Sequence, residues 1–199
     1  MDDLKSQRLR AIIKPVTEPT YEVTMLWNSM EKTFDDWVRD WGGCDLNPDF
    51  QRGHVWTTEQ QQHYIENCMR KLVSTAARTI QFNCPQWNTL RSDKETSSEL
   101  PLGMQCIDGL QRITAVQGFF AGRVRPFGMP FEEFEGTEFS PRRMLAKFNV
   151  AIYDFQTRAD LLQHYLDFNA GGTPHSPSEI ERVRQLMDEA TPSTAAPSM

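Results

Sequence analysis

The sequence lacks the features that mark membrane-spanning, secreted and disulfide-stabilised proteins. No apolar run approaches the roughly 20 residues that a bilayer-spanning helix needs, and the amino terminus, Met-Asp-Asp-Leu-Lys, has no signal-peptide pattern. The four cysteines, at positions 44, 68, 84 and 106, are widely spaced and include no Cys-x-x-Cys pair. This spacing argues against a disulfide framework or a zinc site. We therefore expect a cytoplasmic protein with reduced thiols and no membrane partner.

Positive charge is also scarce. The chain carries 21 Lys and Arg against 27 Asp and Glu, a net charge of −6, which disfavours sequence-blind binding of nucleic acid through bulk charge. A local basic patch stays compatible with this balance, but the basic middle of the chain is interrupted by the acidic segment 131–135, so no dedicated DNA-binding stripe is predicted. The four histidines form no His-Asn-His pattern, and we expect no nuclease module in this chain.

The remaining composition is typical of a globular domain, with 39% hydrophobic and 24% charged residues. Residues 1–20 are mixed in charge and contain two prolines, which predicts a mobile N-terminal arm. Residues 21–190 are interpreted as a single domain. Residues 191–199, rich in Pro, Ser and Ala, are predicted to form a disordered tail.

Hydrophobic periodicity predicts an α+β domain. Apolar residues at three- and four-residue steps predict one or two amphipathic helices over 21–41, and a helix capped by Thr57 or Thr58 follows a loop at 45–55. Strands are predicted at 79–84, 102–107 and 148–155, with the last of these central in the sheet. The final predicted helix covers 179–190, with Glu181 and Arg182 facing solvent.

The stretch 104–116 carries the strongest chemical pattern in the chain. It predicts the end of a buried strand, a turn at Asp108-Gly109, and the first turn of a helix that contains Arg112. A helix start directs unpaired N–H groups and partial positive charge at its surroundings, and an Arg fork suits phosphate oxygens. A carboxylate can hold a divalent cation or orient a nucleophile. This pattern predicts a phosphate and metal site, although the same pattern also occurs in plain strand-to-helix connections.

Three segments in order resemble the ParB/sulfiredoxin-like domain at the amino end of GmrSD-type (Type IV) restriction enzymes. Ile-Asp-Gly-Leu-Gln-Arg-Ile-Thr-Ala at 107–115 resembles the family's Asp-Gly-Gln-Gln-Arg-hydrophobic-Thr signature. The segment 47–56, Asn-Pro-Asp-Phe-Gln-Arg-Gly-His-Val-Trp, resembles its upstream Pro-x-Phe-Gln-Arg-x-x-Val-Trp element. The segment 168–176 followed by Glu179 resembles its downstream Phe-x-x-Asn-x-x-Gly-Thr-x-hydrophobic-Ser-x-x-Glu element.

The resemblance implies a small mixed β-sheet flanked by helices, and a nucleotide-binding domain that performs metal-dependent NTP hydrolysis or phosphoryl transfer. The implied ligands are ATP, GTP or CTP with Mg²⁺, and the activity would be linked to DNA modification, restriction or counter-defence. Its implied partners are the nucleotide, DNA, and a separate nuclease or defence protein. The sequence departs from the family at Leu110, where the motif has Gln, which puts hydrolysis in more doubt than phosphate binding.

These patterns together define a set of candidate site residues. The catalytic candidates are Asp108, Gln111 and Arg112, with Asp108 also the metal ligand; the nucleotide- or phosphate-binding candidates are Gly109, Gln51, Arg52, Thr114, Asn169 and Thr173.

Two alternative functions stay open on the sequence alone. One is a non-catalytic DNA-binding adaptor that retains the fold. The other is a protein-interaction or inhibitor module, which the acidic balance and the Phe-Glu-Glu-Phe-Glu stretch at 131–135 would suit.

Overall fold

A computed structural model describes residues 3–87, 98–170 and 177–190 of the chain. Within these residues the strands are β1 (Tyr21–Leu26), β2 (Cys44–Asp45), β3 (Thr79–Asn83), β4 (Met104–Asp108) and β5 (Lys147–Tyr153). The helices are α1 (Asp3–Ile13), α2 (Met30–Trp41), α3 (Thr58–Met69), α4 (Leu110–Phe120), α5 (Pro141–Met144), α6 (Arg158–Ala170) and α7 (Pro177–Ala190). None of the helices in these ranges is both long and apolar enough to cross a membrane.

The five strands form one mixed sheet in the order β1-β5-β3-β4-β2. The pairs β1–β5 and β3–β4 are antiparallel, whereas β3–β5 and β2–β4 are parallel. The α+β class with a mixed, helix-flanked sheet is therefore confirmed. β5 is an interior strand that pairs with β1 on one side and β3 on the other, in agreement with the central rather than edge position predicted for 148–155; the middle strand of the five is β3.

Helices cover both faces of this sheet, because alternate side chains of each strand point to opposite faces. One face packs against α2, α3 and α4 through side chains such as Phe34, Ile65 and Phe119. The other face packs against α6 and α7, with Leu161, Tyr165 and Val183 at the contact. Strand β4 contributes side chains to the packing on both faces of the sheet. It ends between the two helical layers, so the residues that follow it lie at an edge of the packed core.

The segment Tyr21–Leu26 is a strand, and the prediction of a helix there was wrong. Its apolar residues fit either a helical or an alternating period over so short a stretch. The pairing of Tyr21–Leu26 with β5 along its full length decides for the strand. The prediction of a helix is confirmed from Met30 to Trp41. This helix ends at Gly42, whose backbone adopts the left-handed conformation.

The structure also bears on the predictions for the N-terminal arm, the start of helix α3 and the C-terminal tail. The expected N-terminal arm contains the helix Asp3–Ile13, which buries none of its residues. Helix α3 begins after Thr57, whose hydroxyl accepts a hydrogen bond from the Gln60 backbone N–H while the Gln60 side chain accepts one from the Thr57 N–H. The predicted cap at 57–58 is thus Thr57. The predicted tail at 191–199 lies outside the described residues.

The turn between β4 and α4 requires glycine. Gly109 has a φ of +120°, and a Cβ at this position would lie 2.4 Å from Cγ2 and 2.7 Å from Cβ of Ile80. Ile80 is fully buried in β3, so its side chain cannot move aside at low cost. A β-bulge between Gln81 and Phe82, where β3 pairs with β4, adjoins this contact and sets Asp108 opposite Gln81.

A histidine is buried on the face covered by α6. His164 is 4% exposed, packs against the rings of Tyr153 and Phe155, and has Nε2 3.3 Å from Oε1 of Gln81. Its Nδ1 is buried without a hydrogen-bond partner among the described residues. Burial lowers the pKa of His164, although the nearby charge of Asp167 acts in the opposite direction.

We expect Gly109→Ala to destabilise the fold by about 3 kcal/mol or more, since it adds both a steric clash with Ile80 and an unfavourable φ. Gly122→Ala is the matched control, because Gly122 also has positive φ (+70°) but open space around its Cα; we expect it to cost about 1 kcal/mol. The measurement is urea denaturation of each variant. Equal losses for the two variants would contradict the close-packing argument.

We expect burial of His164 to make stability depend on pH. Because the pKa of His164 in the folded chain lies below its ordinary value of 6.5, neutral His164 stabilises the fold above about pH 6.5, and that contribution is lost as the pH falls toward the lowered pKa. The free energy of unfolding should fall by up to about 1.4 kcal/mol per pH unit in this window. His164→Leu should flatten the slope, whereas His63→Gln, at an exposed histidine, should not. Identical slopes in wild type and His164→Leu would exclude His164 as the source.

Candidate functional site

Parts of all three sequence motifs meet around one cavity of about 140 Å³. Asp108 ends β4 and Gly109 follows it, Gln51 and Arg52 come from the loop before α3, and Asn169 comes from the end of α6. The other residues of the wall are Trp56, Ile107, Leu110, Gln111, Arg112, Tyr165 and Phe168. Segments more than 50 residues apart in sequence are thus brought together at the end of the sheet.

Asp108 and Arg112 form an ion pair on the cavity wall. Nη1 of Arg112 lies 2.8 Å from Oδ2 of Asp108 and also donates to the carbonyl of Thr79 at 2.8 Å. The two side chains keep 26% and 22% of their surface exposed, respectively, so the pair borders the cavity and is not enclosed in apolar packing. Burial acts to lower the pKa of Arg112, but the charge and hydrogen bond of Asp108 outweigh it and the pKa is raised.

The nitrogens of the Arg112 guanidinium differ in their hydrogen bonding. Nη1 is committed to the protein and fixes the orientation of the Asp108 carboxylate relative to β3. Among the described residues, neither Nε nor Nη2 of Arg112 makes a hydrogen bond, so these donors stay available. Arg112 therefore acts first as a positioning residue for Asp108.

Gln111 binds the upstream loop through both ends of its amide. Oε1 accepts hydrogen bonds from the backbone N–H groups of Val55 and Trp56, at 2.9 and 3.0 Å, and Nε2 donates to the carbonyl of Gly53 at 2.7 Å. Both acceptor positions of the side-chain oxygen are thereby occupied. The structure gives Gln111, predicted as catalytic, the role of a clamp between α4 and the loop.

The same loop is held from the other side by α7. Arg182 donates to the carbonyl oxygens of Asp49, Phe50 and Gln51, the last two at 2.8 and 3.0 Å. The prediction that Arg182 faces solvent was therefore wrong. Gln51 itself donates from Nε2 to the carbonyl of Cys106 at 2.6 Å, which ties the loop to β4. Gln51 therefore has a structural role, and its role in phosphate binding stays a prediction.

Among the described residues, the side chain of Arg52 makes only one long ion pair. Its Nη1 lies 3.9 Å from Oε2 of Glu179, which is beyond hydrogen-bonding distance, and no other ion pair of Arg52 occurs among the described residues. The positive charge of Arg52 also affects the pKa of the Tyr165 hydroxyl. Burial raises the pKa of Tyr165 to about 12, and the positive charge of Arg52 opposes that shift.

The start of α4 contributes uncapped N–H groups to the cavity. Gly109 occupies the N-cap position and has no side chain to accept from the first turn. Intrahelical bonding begins with the N–H of Ile113, which donates to the Gly109 carbonyl. The preceding N–H groups therefore keep the partial positive charge of a helix start.

One predicted residue, Thr114, is not brought to the cavity, one lies outside the described residues, and one departure from the motif is explained. The hydroxyl of Thr114 donates to the Leu110 carbonyl within α4 at 2.8 Å, and Thr114 is absent from the cavity wall. Thr173 lies outside the described residues. Leu110, at the motif's Gln position, is buried and forms an apolar part of the wall.

The described residues alone do not supply a complete cation site here. Within the described ranges no group of three or more His, Cys, Asp or Glu side chains could hold a metal ion. Asp108 offers one carboxylate, of which Oδ2 already accepts from Arg112. Mg²⁺ often uses one or two carboxylates together with substrate phosphates, so these residues fit Mg²⁺ only when it arrives with a phosphate-bearing ligand.

Sequence reasoning missed Tyr165 and Arg182 as residues of this region. Tyr165 could have been found, because it precedes Asn169 by four positions and so shares its helix face; Nδ2 of Asn169 donates to the Tyr165 carbonyl at 2.7 Å. The role of Arg182 had no local signal, since its partners are backbone carbonyls about 130 positions earlier in the chain.

Comparison with known proteins gives no match: no protein-family model, no curated protein sequence and no solved structure matches this chain. The resemblance to the ParB/sulfiredoxin-like domain therefore stays a prediction that depends on the three motifs and their order.

We expect Arg182→Gln to loosen the loop that carries Arg52, because a charged donor to three carbonyls is removed. Hydrogen bonds from charged groups contribute about 1.5–3 kcal/mol each when buried, and partial exposure reduces this, so we expect a loss of about 2 kcal/mol in stability. Amide hydrogen exchange of residues 50–56 should accelerate more than that of α4. Glu181→Gln, an exposed neighbour on α7, is the control. Unchanged exchange in the loop would contradict the clamp.

Proposed function

We propose that the cavity at the start of α4 binds the phosphate groups of a nucleoside triphosphate, and that the protein hydrolyses the nucleotide or transfers a phosphoryl group from it. The observation that carries this proposal is the position of Arg52, a cation whose one counter-ion among the described residues, Glu179, lies 3.9 Å away, on the same cavity wall as the uncapped start of α4. Helix starts and arginine forks both favour phosphate oxygens.

The size of the cavity indicates which part of the ligand it receives. A volume of about 140 Å³ is well below the roughly 300 Å³ at which pockets for whole small molecules begin. A larger groove of about 430 Å³ between α6 and α7 shares Tyr165 and Asn169 with the cavity. Its wall includes Leu166, Ile180 and Met187, so it offers apolar surface for a base. In this arrangement the phosphates occupy the cavity and the nucleoside extends into the groove.

Each residue then has a separate task. Arg52 and the N–H groups of α4 neutralise phosphate charge, and phosphoryl transfer depends mainly on such charge placement. Asp108 would hold Mg²⁺ jointly with the phosphates, and Arg112 keeps its carboxylate in position. Bound Mg²⁺ supplies further neutralisation of the phosphate oxygens. A link to DNA modification, restriction or counter-defence belongs to the resemblance and stays a prediction.

Arg52→Gln should abolish nucleotide binding with little loss of stability, because the side chain makes only a long ion pair. The measurement is thermal unfolding with ATP, GTP, CTP and UTP, each with and without Mg²⁺. At a ligand concentration of 100 times Kd, binding stabilises the folded state by about 2.7 kcal/mol, which raises the Tm by several degrees in wild type. Arg123→Gln, an exposed arginine outside the cavity wall, is the matched control and should keep the shift.

Asp108→Asn separates binding from turnover. The amide oxygen can still accept from Arg112, and loss of the negative charge should leave nucleotide affinity without Mg²⁺ equal to or above that of wild type. Mg²⁺-dependent phosphate release should fall by about a hundredfold or more. Absence of a thermal shift with every nucleotide would refute the binding proposal, whereas a shift without phosphate release would refute only the enzymatic part.

A further inference from the structure

A second cavity, of about 300 Å³, lies on another part of the molecule. Its wall combines the 3-10 turn that begins at Trp27, the end of α3, the segment that leads to β3, and the region around α5. The lining residues are Trp27, Cys68, Met69, Lys71, Val73, Arg78, Pro141, Met144, Leu145, Ala146 and Lys147. It shares no residue with the candidate nucleotide site.

The charge of this wall has a single sign. Three of its residues, Lys71, Arg78 and Lys147, are basic, and the lining contains no Asp or Glu. The whole chain has a net charge of −6, so a purely basic concavity is not a consequence of overall composition. Such a concavity concentrates anions from solution.

Arg78 is the strongest indication that an anion belongs here. Its side chain is half-buried, and within the described part of the chain it has no carboxylate at ion-pair distance. Its Nε is buried and has no acceptor among the described residues. Buried cations are normally paired, because removal of their hydration must be compensated.

The polar groups near Arg78 do not provide the missing negative charge. Burial raises the pKa of the Cys68 thiol to about 11, against the opposing effects of Tyr64, Arg78 and Arg112. Burial likewise raises the pKa of the Tyr64 hydroxyl. Both groups are therefore neutral at pH 7, and the guanidinium keeps an uncompensated charge.

Trp27 adds a second buried donor on the same wall. It is 2% exposed, and its Nε1–H has no acceptor among the described residues. Two buried N–H groups without acceptors in residues that line one cavity call for an explanation, since such groups are normally bonded to protein, water or an ion. Both atoms are out of contact with solvent, so these N–H groups add partial positive charge behind the wall of the cavity.

We propose that this cavity is a binding site for a small phosphate-bearing ligand, which Arg78, Lys71 and Lys147 hold by its oxyanion and whose apolar body packs against Met69, Val73 and Met144. The volume suits a molecule at the small end of the range for ligand pockets. The planar fork of Arg78 matches the geometry of phosphate oxygens. The site is independent of the proposed nucleotide site.

The indole N–H signals of the protein provide the test. The chain has five tryptophans; Trp27 lines this cavity and Trp56 lines the other one. In ¹⁵N-labelled full-length protein, Trp27→Phe and Trp56→Phe identify the two signals. Phenyl phosphate and inorganic phosphate are then titrated separately, with sodium chloride at matched ionic strength as the reference.

We expect phenyl phosphate to move the Trp27 signal saturably, inorganic phosphate to do so more weakly, and sodium chloride not to do so. Arg78→Gln should weaken binding at least tenfold, while Arg123→Gln leaves it unchanged. If Arg78→Gln does not fold, the double variant Lys71→Gln/Lys147→Gln replaces it with the same expectation. A Trp27 signal that never saturates, or that saturates equally in the basic-residue variants, would overturn the proposal. A response of Trp56 alone would place phosphate only in the nucleotide site and would also overturn it.

Discussion

The contact between Gly109 and Ile80 is the constraint on which the candidate site depends. A side chain at position 109 would overlap the buried Ile80, so only glycine lets the start of α4 lie this close to β3. That closeness brings Arg112 within 2.8 Å of the Thr79 carbonyl. Because Asp108 immediately precedes the turn, the same closeness determines where its carboxylate meets the guanidinium. The position of the turn therefore sets the chemistry of the wall.

The backbone of the loop before α3 is held firmly, although the charge of Arg52 in this loop has only a distant counter-ion. Gln111 binds its later part and Arg182 its earlier part, in both cases through backbone groups. Neither clamp uses the side chain of Arg52, which lies between them in sequence. The backbone is thus held by hydrogen bonds of modest net energy, while the guanidinium of Arg52 stays at the cavity wall, 3.9 Å from Glu179.

The two cavities differ in how they would treat an anion. In the first cavity, Asp108 lines the same space as Arg52 and Arg112. A phosphate there would meet both signs of charge, and a divalent cation could bind between the phosphate and the carboxylate. In the second, the ionisable side chains of the wall other than the neutral thiol are cations, so an anion needs no metal. The adjacency of Arg78 and Thr79, whose carbonyl accepts from Arg112, connects the two sites through one short backbone segment.

Sequence periodicity and turn chemistry by themselves determined the α+β class, a helix cap at Thr57 or Thr58, and the strand–glycine turn–helix order around Asp108, because these features depend on neighbours within a few positions. The strand at Tyr21–Leu26 was decided by its pairing with β5, more than 120 residues away. The clamp role of Gln111, the inward direction of Arg182 and the lack of a counter-ion for Arg78 among the described residues were likewise decided only by the tertiary structure. Each depends on which distant backbone or side-chain groups the packed sheet and helices bring within hydrogen-bonding distance, and local sequence carries no record of those distances.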